Sequence, residues 1–189
     1  MLASASPRRR ALLSELGIAF RVHPSHIPEE HPPIAPVEAI SAVALAKARA
    51  VARELSAEEP VVILGADTEV VLDGAFQGKP RDPADAARIL SRLRGRTHEV
   101  ITGIALVAAG RCPAREEATA VTTRVTMRRY TDQEIEAYVA TGEPLDKAGA
   151  YAVQALGRRL VAEVDGCFTN VVGLPVSTTR RLLERWGLL

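Results

Sequence analysis

Apolar positions fall into short blocks whose period shifts between helix and strand along the chain. Leu12, Leu13 and Leu16 form one stripe after Ser6-Pro7, which predicts a helix capped by Ser6, opened by Pro7 and ended by Gly17. Val37, Ile40, Val43, Ala44 and Val51 predict an amphipathic helix from Val37 to about Leu55. Met1–Ser4 reads as a clipped strand and Ile18–His23 as a short one, and the five prolines within 24–36 mark a loop. Val61–Leu64 is a buried strand ending in Gly65-Ala66-Asp67-Thr68; Val70–Leu72 continues it, and Asp73-Gly74 turns it. Gly78-Lys79-Pro80 is a loop. Asp82-Pro83 opens a helix that runs to about Leu93, with Gly95 beyond it.

The second half is read in the same way. His98–Ala108 and Ala118–Arg128 alternate as strands. Thr131-Asp132-Gln133-Glu134 is a capping box whose helix ends near Thr141-Gly142. Asp146–Ala150 is a loop, Tyr151–Gln154 is strand-like, and Leu160–Val164 with Asp165-Gly166 predicts a hairpin. Gly173-Leu174-Pro175 leads into a last helix through Leu183. The mixed order of elements means α/β or α+β, and 189 residues fit a single domain over 1–189.

Composition narrows the function. Apolar residues make up 47% and charged residues 25%, enough for a packed core. The net charge of +1 gives no global pull toward nucleic acid or a membrane surface. No leader pattern and no apolar run long enough to span a bilayer are seen, so a soluble cytoplasmic protein is expected. Cys112 and Cys167 lie far apart; nothing supports a disulfide between them, and a cysteine-based zinc site is excluded. Of 24 basic residues only Lys47, Lys79 and Lys147 are lysines, and retention among arginines suggests a need for a compact ammonium.

Several residues suit phosphate or metal chemistry. Ser4, Ser6, Arg8, Arg9 and Arg10 crowd a helix N-terminus, where free N–H groups and Arg forks match phosphate oxygens; as an ordinary cap with solvated arginines the segment needs no ligand. Asp67 follows an apolar strand, where a carboxylate can bind a metal or activate water, or simply cap a turn. Glu29 or Glu30 would complete a metal site with Asp67, or stay a solvated loop acid. Asp146-Lys147 fits a surface ion pair, and Gln154 can both donate to and accept from a base edge. The four histidines, His23, His26, His31 and His98, lack ligand spacing and read as surface or loop residues. There is no phosphate-binding G-x-x-x-x-G-K-[ST] loop and no G-x-S-x-G elbow. From the residues alone, this is an anion-binding α/β enzyme, with metal assistance left open.

At these positions the chain resembles the Maf family of nucleotide pyrophosphatases, from Leu2 to the last helix. The resemblance rests on five segments in order: Ser4–Arg9, Ala66-Asp67-Thr68, Gly78–Pro80, Asp146–Gln154 and Asn170–Pro175. It implies a bent mixed sheet flanked by helices in two lobes with a cleft between them, similar to inosine-triphosphate pyrophosphatases. It also implies hydrolysis of a nucleoside triphosphate to monophosphate and pyrophosphate with a divalent cation, Mg or Mn. Asp67 matches the proton acceptor and a metal ligand, Glu29 the loop carboxylate at the metal, and Ser6, Arg8, Arg9, Lys47 and Lys79 the phosphate-holding groups. Arg9, Thr68 and Gln154 resemble the branch acting on dTTP and UTP. Alternatives are the 7-methyl-GTP branch and a nucleotide-binding regulator of septum formation. The family suggests a homodimer with a nucleotide as its partner. Two departures stand out: Ala155 replaces the usual Gly and Phe168 the usual Tyr.

Overall fold

The computed structural model describes residues 1–55, 60–110 and 114–189. Cys112 therefore lies outside the described residues. Among the described residues six α-helices are present: α1 (Pro7–Ser14), α2 (Pro36–Glu54), α3 (Pro83–Leu93), α4 (Asp132–Val139), α5 (Phe168–Val172) and α6 (Val176–Arg185), with short 3-10 helices at Glu143–Asp146, Ala148–Ala150 and Ala155–Leu160. They flank an antiparallel sheet of β1 (Val61–Leu72), β2 (Ala75–Phe76), β3 (Thr97–Ala109), β4 (Glu116–Met127) and β5 (Val161–Asp165), in the order β2-β1-β3-β4-β5. Leu2 adds parallel bridges to Val22 and to Leu64 of β1.

Local chemistry sets three of the helix starts. Ser6, Asp82 and Thr131 accept N–H bonds from Arg9, Asp85 and Glu134, and Glu134 returns a carboxylate to the Thr131 N–H at 2.7 Å. Three expectations change. Ile18–His23 forms no strand, only the single Val22 bridge to Leu2. Tyr151–Gln154 is not a strand either, because Ala150 (φ 57°) and Ala155 (φ 52°) on either side of it are left-handed. β5 pairs with β4, Val164 opposite Val125, and Gly166 then leads toward α5 rather than closing a hairpin.

The chain divides into two compact units: residues 1–67, 102–121 and 173–189, and residues 68–101 and 122–172. In the first, Ala3, Ala48, Val51, Ile63 and Val107 form a buried cluster. In the second, Leu72, Leu90, Leu93, Val125, Met127 and Tyr130 belong to a larger one. The buried Tyr130 hydroxyl is satisfied by donating to the Leu90 carbonyl at 2.7 Å. One division falls inside β1, between Asp67 and Thr68, and another between Val172 and Gly173.

Candidate functional site

In the first unit, α2 lies unusually close to β1. A Cβ on Gly65 would collide with the Ala44 carbonyl oxygen and lie 3.0 Å from the Ala48 Cβ; one on Gly103 would lie 2.6 Å from the Ile40 carbonyl oxygen. Two glycines facing a helix with alanines on its buried side thus remove the bulk that normally spaces helix from strand. Lys47 lies on that buried side, 5% exposed, one turn beyond Ala44. Its ammonium donates to Asp67 Oδ1 at 2.7 Å and to Glu29 Oε1 at 2.6 Å. Glu29 is therefore joined to Asp67 through Lys47. Lys47, expected among the phosphate-holding cations, has a carboxylate on each of two sides.

Asp67 is 3% exposed. Burial disfavours its charge, but the hydrogen bond from His31, the charge and hydrogen bond of Lys47 and the charge of Arg9 outweigh burial and hold the carboxyl at about 2. His31 Nε2 lies 3.0 Å from Asp67 Oδ2. Asp67 and Glu69, two residues apart on β1, are both buried, and strand period puts them on one face. With His31 they offer one ligand atom each, all within 4.8 Å of one another. Two carboxylates and an imidazole at that spacing fit a divalent cation.

The opening segment is wired as a unit. Ser4 Oγ accepts from the Ser6 N–H at 3.3 Å and from Arg9 Nη1 at 3.2 Å, while Ser6 Oγ accepts from the Arg9 N–H at 3.4 Å. Arg9 Nε donates to the Gly173 carbonyl at 2.9 Å. That bond ties the opening segment to Gly173, 164 residues away and within the same unit. Arg8 is half-buried on the first turn of α1.

In the second unit, Thr68 is half-buried on β1, and Lys79 is exposed after the left-handed Gly78. The Gly78 carbonyl accepts from the Gly149 N–H at 2.8 Å, so the Gly78–Pro80 and Asp146–Gln154 segments meet through their backbones. Lys147 Nζ donates to Asp146 Oδ1 at 2.6 Å, the ion pair expected from sequence, and also to the Glu143 carbonyl at 2.7 Å. Gln154 is exposed, flanked by buried Val153 and left-handed Ala155.

One histidine is corrected, and a second is a loop residue as expected but with a buried partner. His98 is no surface residue: on β3 it is 2% exposed, with Nε2 2.7 Å from the Tyr151 hydroxyl, and burial pushes its pKa down to about 4. His31 sits in the proline-rich loop but reaches the buried Asp67. Its sequence separation of 36 leaves no periodic signal. Glu69 was also missed as a candidate, although its place two residues after Asp67 on a strand is legible.

The Maf-like protein family matches residues 1–186. The chain is 52% identical over 189 residues to the dTTP/UTP pyrophosphatase of Moorella thermoacetica, covering 100% of this chain and 95% of that protein. It is 53% identical over 187 residues to the dTTP/UTP pyrophosphatase of Gloeobacter violaceus, covering 98% and 95%. A third protein of that name, from Dictyoglomus turgidum, is 46% identical over 190 residues, covering 99% and 95%. With the family match and these relatives both running along almost its entire length, the chain belongs to the Maf-like protein family.

Proposed function

We propose that this protein is a nucleoside triphosphate pyrophosphatase that hydrolyses dTTP and UTP to the monophosphate and pyrophosphate. The observation that carries the reading is the buried Asp67 carboxylate, kept ionised by Lys47 and His31 at the end of the α2–β1 approach. The names of the full-length relatives supply the substrate class.

In this reading, water attacks the α-phosphorus, the bond to the α–β bridging oxygen breaks, and pyrophosphate leaves with that oxygen. Asp67 orients the water and takes its proton. A carboxyl near 2 is a weak base, so its service as acceptor calls for an acidified water. His31, Asp67 and Glu69 would hold a Mg or Mn ion, which when bound acidifies its water and offsets phosphate charge. Glu29 acts on this group through Lys47. Ser6, Arg8, Arg9, Lys47 and Lys79 serve the phosphates, whose charge rises on the leaving pyrophosphate. Thr68 and Gln154, with Arg9, distinguish the pyrimidine substrate. The whole chain acts as one functional domain.

A homodimer, a cytoplasmic location and no nucleic-acid partner accompany this reading. Among the described residues, no helix is long and apolar enough to cross a membrane. A nucleotide-binding regulator without catalysis would have no need of a buried, ionised Asp67. Asp67→Asn is the test: it keeps the shape of the side chain and removes its charge. Folded Asp67→Asn protein should lose most of its pyrophosphate release; undiminished release would remove Asp67 from the mechanism.

A further inference from the structure

Gln154 directly precedes the 3-10 helix Ala155–Leu160, at an exposed turn of the chain. Gln154, Ala155 and Leu156 are all exposed, Leu156 by 42%, and Ala155 is left-handed. Apolar burial therefore does not set the direction of the Gln154 amide. The turn is instead closed at its base. A Cβ on Gly157 would collide with both the Ala152 carbonyl oxygen and the Tyr138 hydroxyl, so the two limbs are in direct contact.

One carboxylate ties both limbs. Glu143 Oε1 accepts from the Gly157 N–H at 3.0 Å and from the Tyr138 hydroxyl at 2.9 Å, and Oε2 accepts from the Leu156 N–H at 3.3 Å. The Tyr138 hydroxyl in turn accepts from the Ala152 N–H at 3.2 Å. Glu143 thus holds the outgoing limb directly and the incoming limb through Tyr138. Its own carbonyl accepts from Lys147 Nζ at 2.7 Å. A single residue therefore connects Lys147, at the start of the Asp146–Gln154 segment, with the turn at its end.

We propose that Glu143 is a positioning residue for base recognition, fixing the Ala152–Gly157 turn, which ends in the start of the 3-10 helix, so that the Gln154 amide meets the pyrimidine edge at one angle. This rests on the dTTP/UTP reading. An amide discriminates between bases only when donor and acceptor are both aimed, since each is satisfied as well by water when the turn drifts. Both Glu143 carboxylate oxygens are engaged within the chain, by Tyr138, Leu156 and Gly157, so its loss acts on selectivity and not on the hydrolytic step.

The experiment compares wild type, Glu143→Ala and Glu143→Gln with dTTP, UTP and GTP, alongside hydrogen exchange at the 152–157 amides. Glu143→Ala should lower kcat/KM for dTTP and UTP by about 10- to 100-fold, mainly through KM, the scale of a loop displaced by about 1 Å. GTP turnover should change far less, so the pyrimidine preference shrinks and the 152–157 amides exchange faster. Glu143→Gln keeps one acceptor oxygen and should fall between the two; if Glu143→Ala does not fold, it alone decides. A folded variant with faster exchange but an unchanged dTTP to GTP ratio overturns the positioning role. Wild-type protein with no turnover of any triphosphate overturns the dTTP/UTP reading itself, a separate outcome.

Discussion

Lys47 and Asp67, twenty residues apart, form a buried ion pair of 2.7 Å on a helix and a strand packed at glycine distance. The pair needs that close approach, because a wider gap would leave the ammonium short of the strand. It also needs both partners: removing one from a buried pair leaves the other charged in a poorly solvated place.

Lys47→Met should therefore destabilise the fold by about 3–5 kcal/mol. Urea denaturation measures this. A loss below about 1 kcal/mol, the scale of an exposed pair, would show that water relieves Asp67.

His98 predicts a specific acid window. Its pKa is lowered from 6.5 to about 4 on folding, so the unfolded chain binds the proton first. The stability linked to neutral His98 is fully present above pH 6.5 and lost as pH falls to about 4, a change of about 3 kcal/mol. Asp67 titrates lower, between 3.8 and about 2, and its contribution is likewise lost as pH falls. His98→Gln should flatten the stability profile between pH 6.5 and 4; an unchanged slope would contradict the assignment.

Much of this fold is legible where cause and effect are local. Ser6, Asp82 and Thr131 cap their helices as their residue types and spacing predict, since side chain and N–H lie within one turn. Asp67 at its strand and the Ser4–Arg9 segment were also legible. What was not legible is long-range. His31 reaches Asp67 from a loop with no period, and Val22 gains only one bridge because Leu2 offers so short a partner. Tyr151–Gln154 has strand composition, but left-handed residues at both ends override it.

Ala155 is one of those residues. At φ 52° its Cβ costs about 1–2 kcal/mol, partly offset by the lower chain entropy of Ala relative to Gly. Ala155→Gly should raise stability by about 0.5–1 kcal/mol, read as a higher denaturation midpoint. A lower midpoint would mean that the Ala155 methyl makes contacts worth more than the strain.

The proposed cation can be examined without turnover. Mn²⁺ titrated into the protein should bind with a measurable heat, and Asp67→Asn with Glu69→Gln should remove most of it. Equal heats in both proteins would place the ion elsewhere than His31, Asp67 and Glu69.

The account turns on the reaction itself. The most direct measurement is pyrophosphate release by purified protein with Mg²⁺ or Mn²⁺ across dTTP, UTP, CTP, ATP, GTP and 7-methyl-GTP. Fastest turnover of dTTP and UTP, with monophosphate and pyrophosphate as the products, is the predicted result. A preference for 7-methyl-GTP, or nucleotide binding without hydrolysis of any of the six, would contradict it.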